Sequence, residues 1–170
     1  MLTQTQRLII TELTPEMAEF IQMNSMDDDT LEFVPDEVFS TTEAAAETIA
    51  FLISRYDRTD APLVYAVNRN EDNRNLGYVQ LVPLADGGWE IGYHIGKTYT
   101  GKGYATEAVS AFLPVIAEKV GTETVYGISR KDNAASCRVL EKCGFEPFFV
   151  GVGNYQGKRR EIVKTIWKRY

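Results

Sequence analysis

The chain has 170 residues, 44% of them hydrophobic and 25% charged, a size and composition that suit one globular domain over residues 1–170 and exclude a disordered or fibrous protein. A formal net charge of −6 and a pI of about 4.9 argue against a general nucleic-acid binder. No apolar run approaches the roughly 20 residues that cross a bilayer, and Met1–Gln6 lacks the basic and apolar regions of a signal peptide, so the expected location is cytoplasmic, away from membranes.

Arg7–Leu13 alternates weakly and reads as a first strand. Thr14-Pro15-Glu16 is a helix start with proline at the first position, and Met17, Phe20 and Ile21 share one face of the short helix that follows to Met23. Asn24–Ser40 is irregular and rich in Asp and Glu, which reads as a solvated acidic loop. Thr41-Thr42-Glu43 resembles a helix cap, opening a helix to about Tyr56 with Ile49, Leu52 and Ile53 on one face. Leu63–Arg69, Leu76–Leu84 and Trp89–Gly96 are strands, with a polar turn at Asn70–Asn75 and a hairpin turn at Asp86-Gly87-Gly88. Together they suggest an antiparallel meander.

Tyr99-Thr-Gly-Lys-Gly-Tyr-Ala105 then turns the chain into a helix whose apolar residues, from Tyr104 through Ala108, Val109, Phe112, Leu113 and Ile116, recur at helical spacing. Gly101 and Gly103 permit a sharp turn and close approach of a ligand to backbone. Unpaired amides and a positive dipole at the helix start favour phosphate. A P-loop is excluded, because Gly103 stands where Ser or Thr would hold Mg²⁺. A dinucleotide fingerprint is excluded by Thr106 at the third glycine position. Unless the turn is purely structural, the remaining choice is a coenzyme A pyrophosphate, which needs amides and no metal.

Glu123–Ser129 is a further strand. Asn133–Gly144 is a short helix, with Asn133 near its start and Gly144 at its end. Phe145–Val152 and Arg160–Trp167 are the last strands, with a turn at Asn154–Lys158. Cys137 and Cys143 lie about 9 Å apart on one helix at 1.5 Å rise per residue, too far for a disulfide. One His and two Cys make no zinc site. The cysteines read as packing residues, with a catalytic thiol the lesser alternative. The element order implies an α/β (α+β) fold: a mixed, mostly antiparallel central sheet of about seven strands with helices on both faces.

Gly101-Lys-Gly-Tyr-Ala-Thr-Glu-Ala108, followed by Asn133-x-x-Ser136-x-Arg138-Val-Leu-Glu-Lys-x-Gly144-Phe145, resembles the GNAT superfamily of acetyl-CoA-dependent N-acetyltransferases, and within it the branch of ribosomal-protein N-terminal acetyltransferases. The motifs span about Glu90–Phe145, and the opening Gln-Arg-Leu-Ile-Ile-Thr-Glu-Leu and the closing strand also fit. The resemblance implies the acyl-CoA N-acyltransferase fold, acetyl-CoA as cofactor and an amine acceptor, either a peptide N-terminus or a small molecule, with Asn24–Ser40 as an acidic rim on the acceptor side of the cleft, the alternative to a solvated loop. It also implies two central strands, Trp89–Gly96 and Glu123–Ser129, splayed around the pantetheine arm. Backbone at His94, Ile95 and Gly96 would face that arm. Gly101, Lys102, Gly103, Tyr104 and Ala105 would hold the pyrophosphate, with Asn133, Ser136 and Arg138 also cofactor-binding. Asn133 serves equally well as a helix cap.

Two departures stand out. The first motif position, usually Gln or Arg, is Thr98. The Tyr that often follows the Asn by seven residues is Leu140. The branch that the chain resembles often carries a Ser three residues after the Asn, which here is Ser136, and the resemblance implies it as general acid, unless it is a plain helix-start residue. Glu90 is the favoured base: on a strand it shares a face with Gly92 and His94, opposite Ile91, Tyr93 and Ile95, and partial burial raises a carboxyl toward a base's range. His94 and Glu161 are weaker candidates. The departures keep a second reading in view, a non-catalytic acyl-CoA-binding or regulatory module. A homodimer is left open, with Phe148, Phe149 and Tyr155 as interface candidates.

Overall fold

In the computed structural model, which describes residues 1–58 and 60–169, the seven expected strands are joined by a two-residue β1 (Thr3–Gln4). The others are β2 (Leu8–Glu12), β3 (Leu63–Arg69), β4 (Asn75–Pro83), β5 (Trp89–Ile95), β6 (Thr124–Arg130), β7 (Glu146–Tyr155) and β8 (Lys158–Lys168). They form one sheet in the order β1-β2-β3-β4-β5-β6-β8-β7, antiparallel everywhere except at β5–β6. Five α-helices accompany them: α1 (Ala18–Ser25), α2 (Asp28–Phe33), α3 (Thr42–Ile53), α4 (Tyr104–Val120) and α5 (Ala134–Lys142).

The period of two along β3 builds both sides of the sheet. Leu63, Tyr65 and Val67 pack in the cluster that holds Phe112, Leu113 and Ile116 of α4, together with Leu140 of α5. Val64 and Ala66 pack with Ala18 of α1 and Ala45 and Ile49 of α3. A strand buried on both faces reads as a near-continuous apolar run, as Leu63–Val67 does. Each fully buried large apolar side chain contributes about 1.5–3 kcal/mol relative to exposure. Phe112→Ala would remove about 3–5 kcal/mol. Leu140, in place of the family's tyrosine, is 2% exposed and belongs to this core.

Three local expectations need correction. Asn24–Ser40 is not a solvated loop: Asp27 caps α2 by accepting from the Thr30 amide at 2.8 Å, and Thr30 is buried. The α3 helix ends at Ile53, three residues early, which frees Tyr56 to fold inward and bond Leu13 N and Val64 O. The last hairpin turns on Gln156 and Gly157 alone, both at positive φ, so Asn154, Tyr155 and Lys158 belong to strands. Phe148 and Phe149 lie exposed on β7 at the sheet's edge. Tyr155 does not: its hydroxyl donates to Phe33 O at 3.2 Å.

Candidate active site

The parallel pair β5–β6 keeps a single registered contact, Glu90 to Tyr126, and diverges beyond it. The gap so formed opens into a cleft of about 580 Å³, roofed by α2 and its following turn on one side and by α5 on the other. Because the strands part, residues from both faces of β5 reach the cleft. Glu90, Gly92 and His94 line it, as expected. So do Ile91, Tyr93 and Ile95, which strand alternation had assigned to the far side.

Glu90 stands in the cleft wall with its carboxyl raised from 4.5 to about 7 by burial, an effect that Lys164 partly offsets. Glu37, from the stretch read as a solvated acidic loop or an acidic substrate rim, is a second buried carboxylate in the same cleft. Burial raises it to about 6; Gln80, donating at 2.9 Å, works the other way, and Asp36 adds to the rise. Gly92 makes room for this pair, since a Cβ there would meet the Gln80 side chain at 2.6 Å. His94 is tied down: its Nε2 lies 2.7 Å from Thr30 Oγ1 and 3.4 Å from Asp27. Burial lowers its pKa, with Asp27 opposing, so the ring is neutral at pH 7. Glu161 faces solvent at 64% exposure beside Lys131 and does not line the cleft.

Across from Glu90, the start of α5 carries the hydroxyl. Asn133 Oδ1 accepts from Ser136 N at 3.0 Å, so the cap role is real, and both residues line the cleft. Ser136 Oγ lies 2.9 Å from the Tyr93 hydroxyl, which also reaches Ser136 O at 3.1 Å. Burial pushes the Tyr93 phenol well up, so it stays protonated. Tyr93 is the residue that sequence reasoning missed. Its ring lies with Ile91 and Ile95 on the face that packs against α4 and α5, and the gap between β5 and β6 opens the cleft to that face.

The glycine turn has the shape an anion needs. Gly101 and Gly103 adopt φ of 75° and 81°, and Gly103 caps α4 without any side chain covering the first amides. A Cβ at Gly101 would meet nothing within 4 Å, so the approach to the turn is open. Thr100 and Ala105 extend this edge into the cleft. The turn is braced from the first strands: Arg7 donates to Lys102 O at 3.0 Å and to Glu107 at 2.6 Å, with its guanidinium 4.6 Å from the Tyr104 ring centre. These features fit a pyrophosphate on the amides of Gly103, Tyr104 and Ala105. One expected contributor lies elsewhere. Gly96 gives its amide to Leu76 O at 2.9 Å and packs on Asn24, outside the cleft. The Lys102 side chain is exposed within the turn itself, and the Arg138 side chain is exposed on α5. Neither cysteine lines the cleft; Cys137 Sγ sits 3.4 Å from Ser129 Oγ and Cys143 Sγ 3.3 Å from Ser110 Oγ.

A splayed parallel pair, an amide cradle at a helix start and an ionisable cleft between them define an acyl-CoA-dependent transferase. The family description "Acetyltransferase (GNAT) domain" matches residues 7–146. The chain belongs to that family: it is an N-acetyltransferase, with acetyl-CoA as its co-substrate. It is 25% identical over 148 residues to the uncharacterized N-acetyltransferase YnaD of Bacillus subtilis, covering 85% of this chain and 84% of that one. Among solved structures it superposes on a GNAT-family acetyltransferase from Bacillus anthracis with a TM-score of 0.82 at 20% identity, covering 99% and 98% of the two chains. It also superposes on RimL, a ribosomal alpha-N-protein acetyltransferase in complex with coenzyme A, with a TM-score of 0.80 at 15% identity, covering 98% and 97%. No helix among the described residues is long and apolar enough to cross a membrane.

Proposed function

We propose that the protein acetylates an α-amine, in the first instance a peptide N-terminus, by direct attack within a ternary complex. The observation that carries this reading is Glu90, a cleft carboxylate whose pKa of about 7 matches a general base at neutral pH. An α-amine, with a pKa of about 7.7–8.0, is neutral in roughly one molecule in ten at pH 7, whereas a Lys amine near 10.4 is neutral in about one in a few thousand. The difference is about 3.4 kcal/mol, which a modest base acting directly or through water does not supply. The α-amine specificity in the RimL description points the same way.

Acetyl-CoA, when bound, supplies the activated acetyl group. Glu90 takes the amine proton as attack proceeds. The departing thiolate needs little help, because a thiol pKa is about 8.5; Ser136 Oγ passes it a proton while recovering one through water from the proton that Glu90 took, so the hydroxyl is left neutral. Tyr93 holds that hydroxyl in position. The absence of both thiols from the cleft lining supports direct attack over an acetyl-cysteine route.

The test uses peptides blocked either at the N-terminus or at a Lys side chain. Acetylation of the free α-amine alone is the expected result. Acetylation confined to the Lys side chain would overturn the α-amine assignment, whatever Glu90 does.

A further inference from the structure

Glu37 stands between two spaces. On one side is the cleft. On the other is a small chamber of about 10 Å³, enough for one water, which His94 also borders. The chamber is lined by Asn75, Tyr78 and Asn24, and Asn75 Oδ1, Tyr78 Oη and Asn24 Nδ2 are buried without a partner in the chain. Asn75 is 4% exposed, and its amide nitrogen is committed to Asn68 Oδ1 at 3.0 Å and Gly77 O at 3.1 Å. Its oxygen is therefore an acceptor waiting for a donor. A buried polar atom left unpaired is costly, and with Asn75 Oδ1 an acceptor and Asn24 Nδ2 a donor the chamber calls for a molecule that both gives and accepts hydrogens.

The charge around the cleft is one-sided. Asp29, Glu37 and Glu90 line the cleft, and among its described lining residues there is no Lys or Arg. Glu90 has Lys164 nearby. Glu37 has only the neutral amide of Gln80. A carboxylate withdrawn from water and given no cation is costly; a cation arriving with a ligand offsets that cost.

We propose that the acceptor carries a second cationic group, a few bonds from the amine that is acetylated, and that Glu37 receives it. The ligand's ammonium gives one hydrogen to Glu37 and another to a water in the chamber. That water accepts from Asn24 and passes its own hydrogens to Asn75 Oδ1 and Tyr78. The inference rests on the amine-acetylation reading above and narrows its acceptor. Two sources share this chemistry: a peptide whose first residue has a basic side chain, and a small aliphatic diamine.

The experiment compares matched acceptors with the purified protein and acetyl-CoA. One pair is two peptides that differ only in a first-residue norleucine or lysine, with α-acetylation read by mass spectrometry. The other pair is butylamine against butane diamine. The expected result is a kcat/KM about tenfold or more in favour of the charged member of at least one pair. In Glu37→Gln that ratio falls to within about twofold of one, with the unfolding temperature confirming an intact fold. Which pair shows the preference identifies the source. Equal kcat/KM within both pairs, or a preference that survives Glu37→Gln, overturns the inference. Preference for the diamine with no α-acetylation of either peptide overturns the α-amine reading and leaves Glu37's role standing. No turnover of any of the four overturns both.

Discussion

Replacing Glu90 by Gln separates catalysis from stability, because the two effects run in opposite directions. Burial lifts this carboxyl from 4.5 to about 7 in the folded protein. Below about pH 4.5 it is neutral in both folded and unfolded chains, and folding bears no penalty. Between those values the unfolded chain ionises while the folded one holds its proton, so stability falls as pH rises; above about pH 7 the loss is complete. At full effect it is about 3.4 kcal/mol. Glu90 lines an open cleft and is only partly buried, so solvent screening reduces this to about 1–2 kcal/mol. Gln carries no charge and escapes the penalty. Glu90→Gln should thus unfold about 3–6 °C higher than the parent at about pH 8, and at the same temperature at about pH 4.5. Turnover should fall on the order of 10²-fold at about pH 8, where the parent's base is ionised, with little change in acetyl-CoA affinity. Thermal melts and kcat/KM against pH on both proteins test this together. A variant as fast as the parent at about pH 8 refutes the base assignment. A melting difference that does not grow with pH refutes the burial argument beneath it.

Gly103→Val should abolish acetyl-CoA binding in a folded protein, because a β-branched residue resists φ of 81° and crowds the amides beside it; unchanged affinity by calorimetry would contradict this. Tyr93→Phe should lower kcat roughly tenfold, with the acetyl-CoA KM unchanged, by releasing the Ser136 hydroxyl. The same change made on Ser136→Ala should add nothing, and additive losses would show that the two hydroxyls do not act as a unit. Cys137→Ala and Cys143→Ala should each keep most of the activity, since both thiols lie off the cleft; an acetylated cysteine with ping-pong kinetics would contradict direct attack.

What could be read from sequence was local. Gly101 and Gly103 before an apolar run of helical period give away strand, turn and helix without any tertiary knowledge, because the positive φ values and the burial of Phe112 and Ile116 follow from residues close in the chain. Asn133 declared its cap in the same way. The misses share a different cause. Alternation along β5 put Tyr93 opposite Glu90, and for a strand hydrogen-bonded on both sides that is right. Here β5 parts from β6 after one pair, so the cleft is lined from both faces and the rule stops discriminating where the chemistry is. Glu32 and Glu37 are equally hydrophilic letters in an irregular acidic stretch. The fold leaves Glu32 59% exposed beside Arg130 and buries Glu37 against Gln80. Nothing nearby in sequence separates them. What does is Gly92, which lacks the Cβ that would push Gln80 away from the position where it meets Glu37. Gly92 lies 55 positions downstream of Glu37. A glycine on the sheet thus sets the charge environment of a carboxylate on the opposite wall. Gly92→Ala, by displacing Gln80, would remove the hydrogen bond that now holds the Glu37 pKa down.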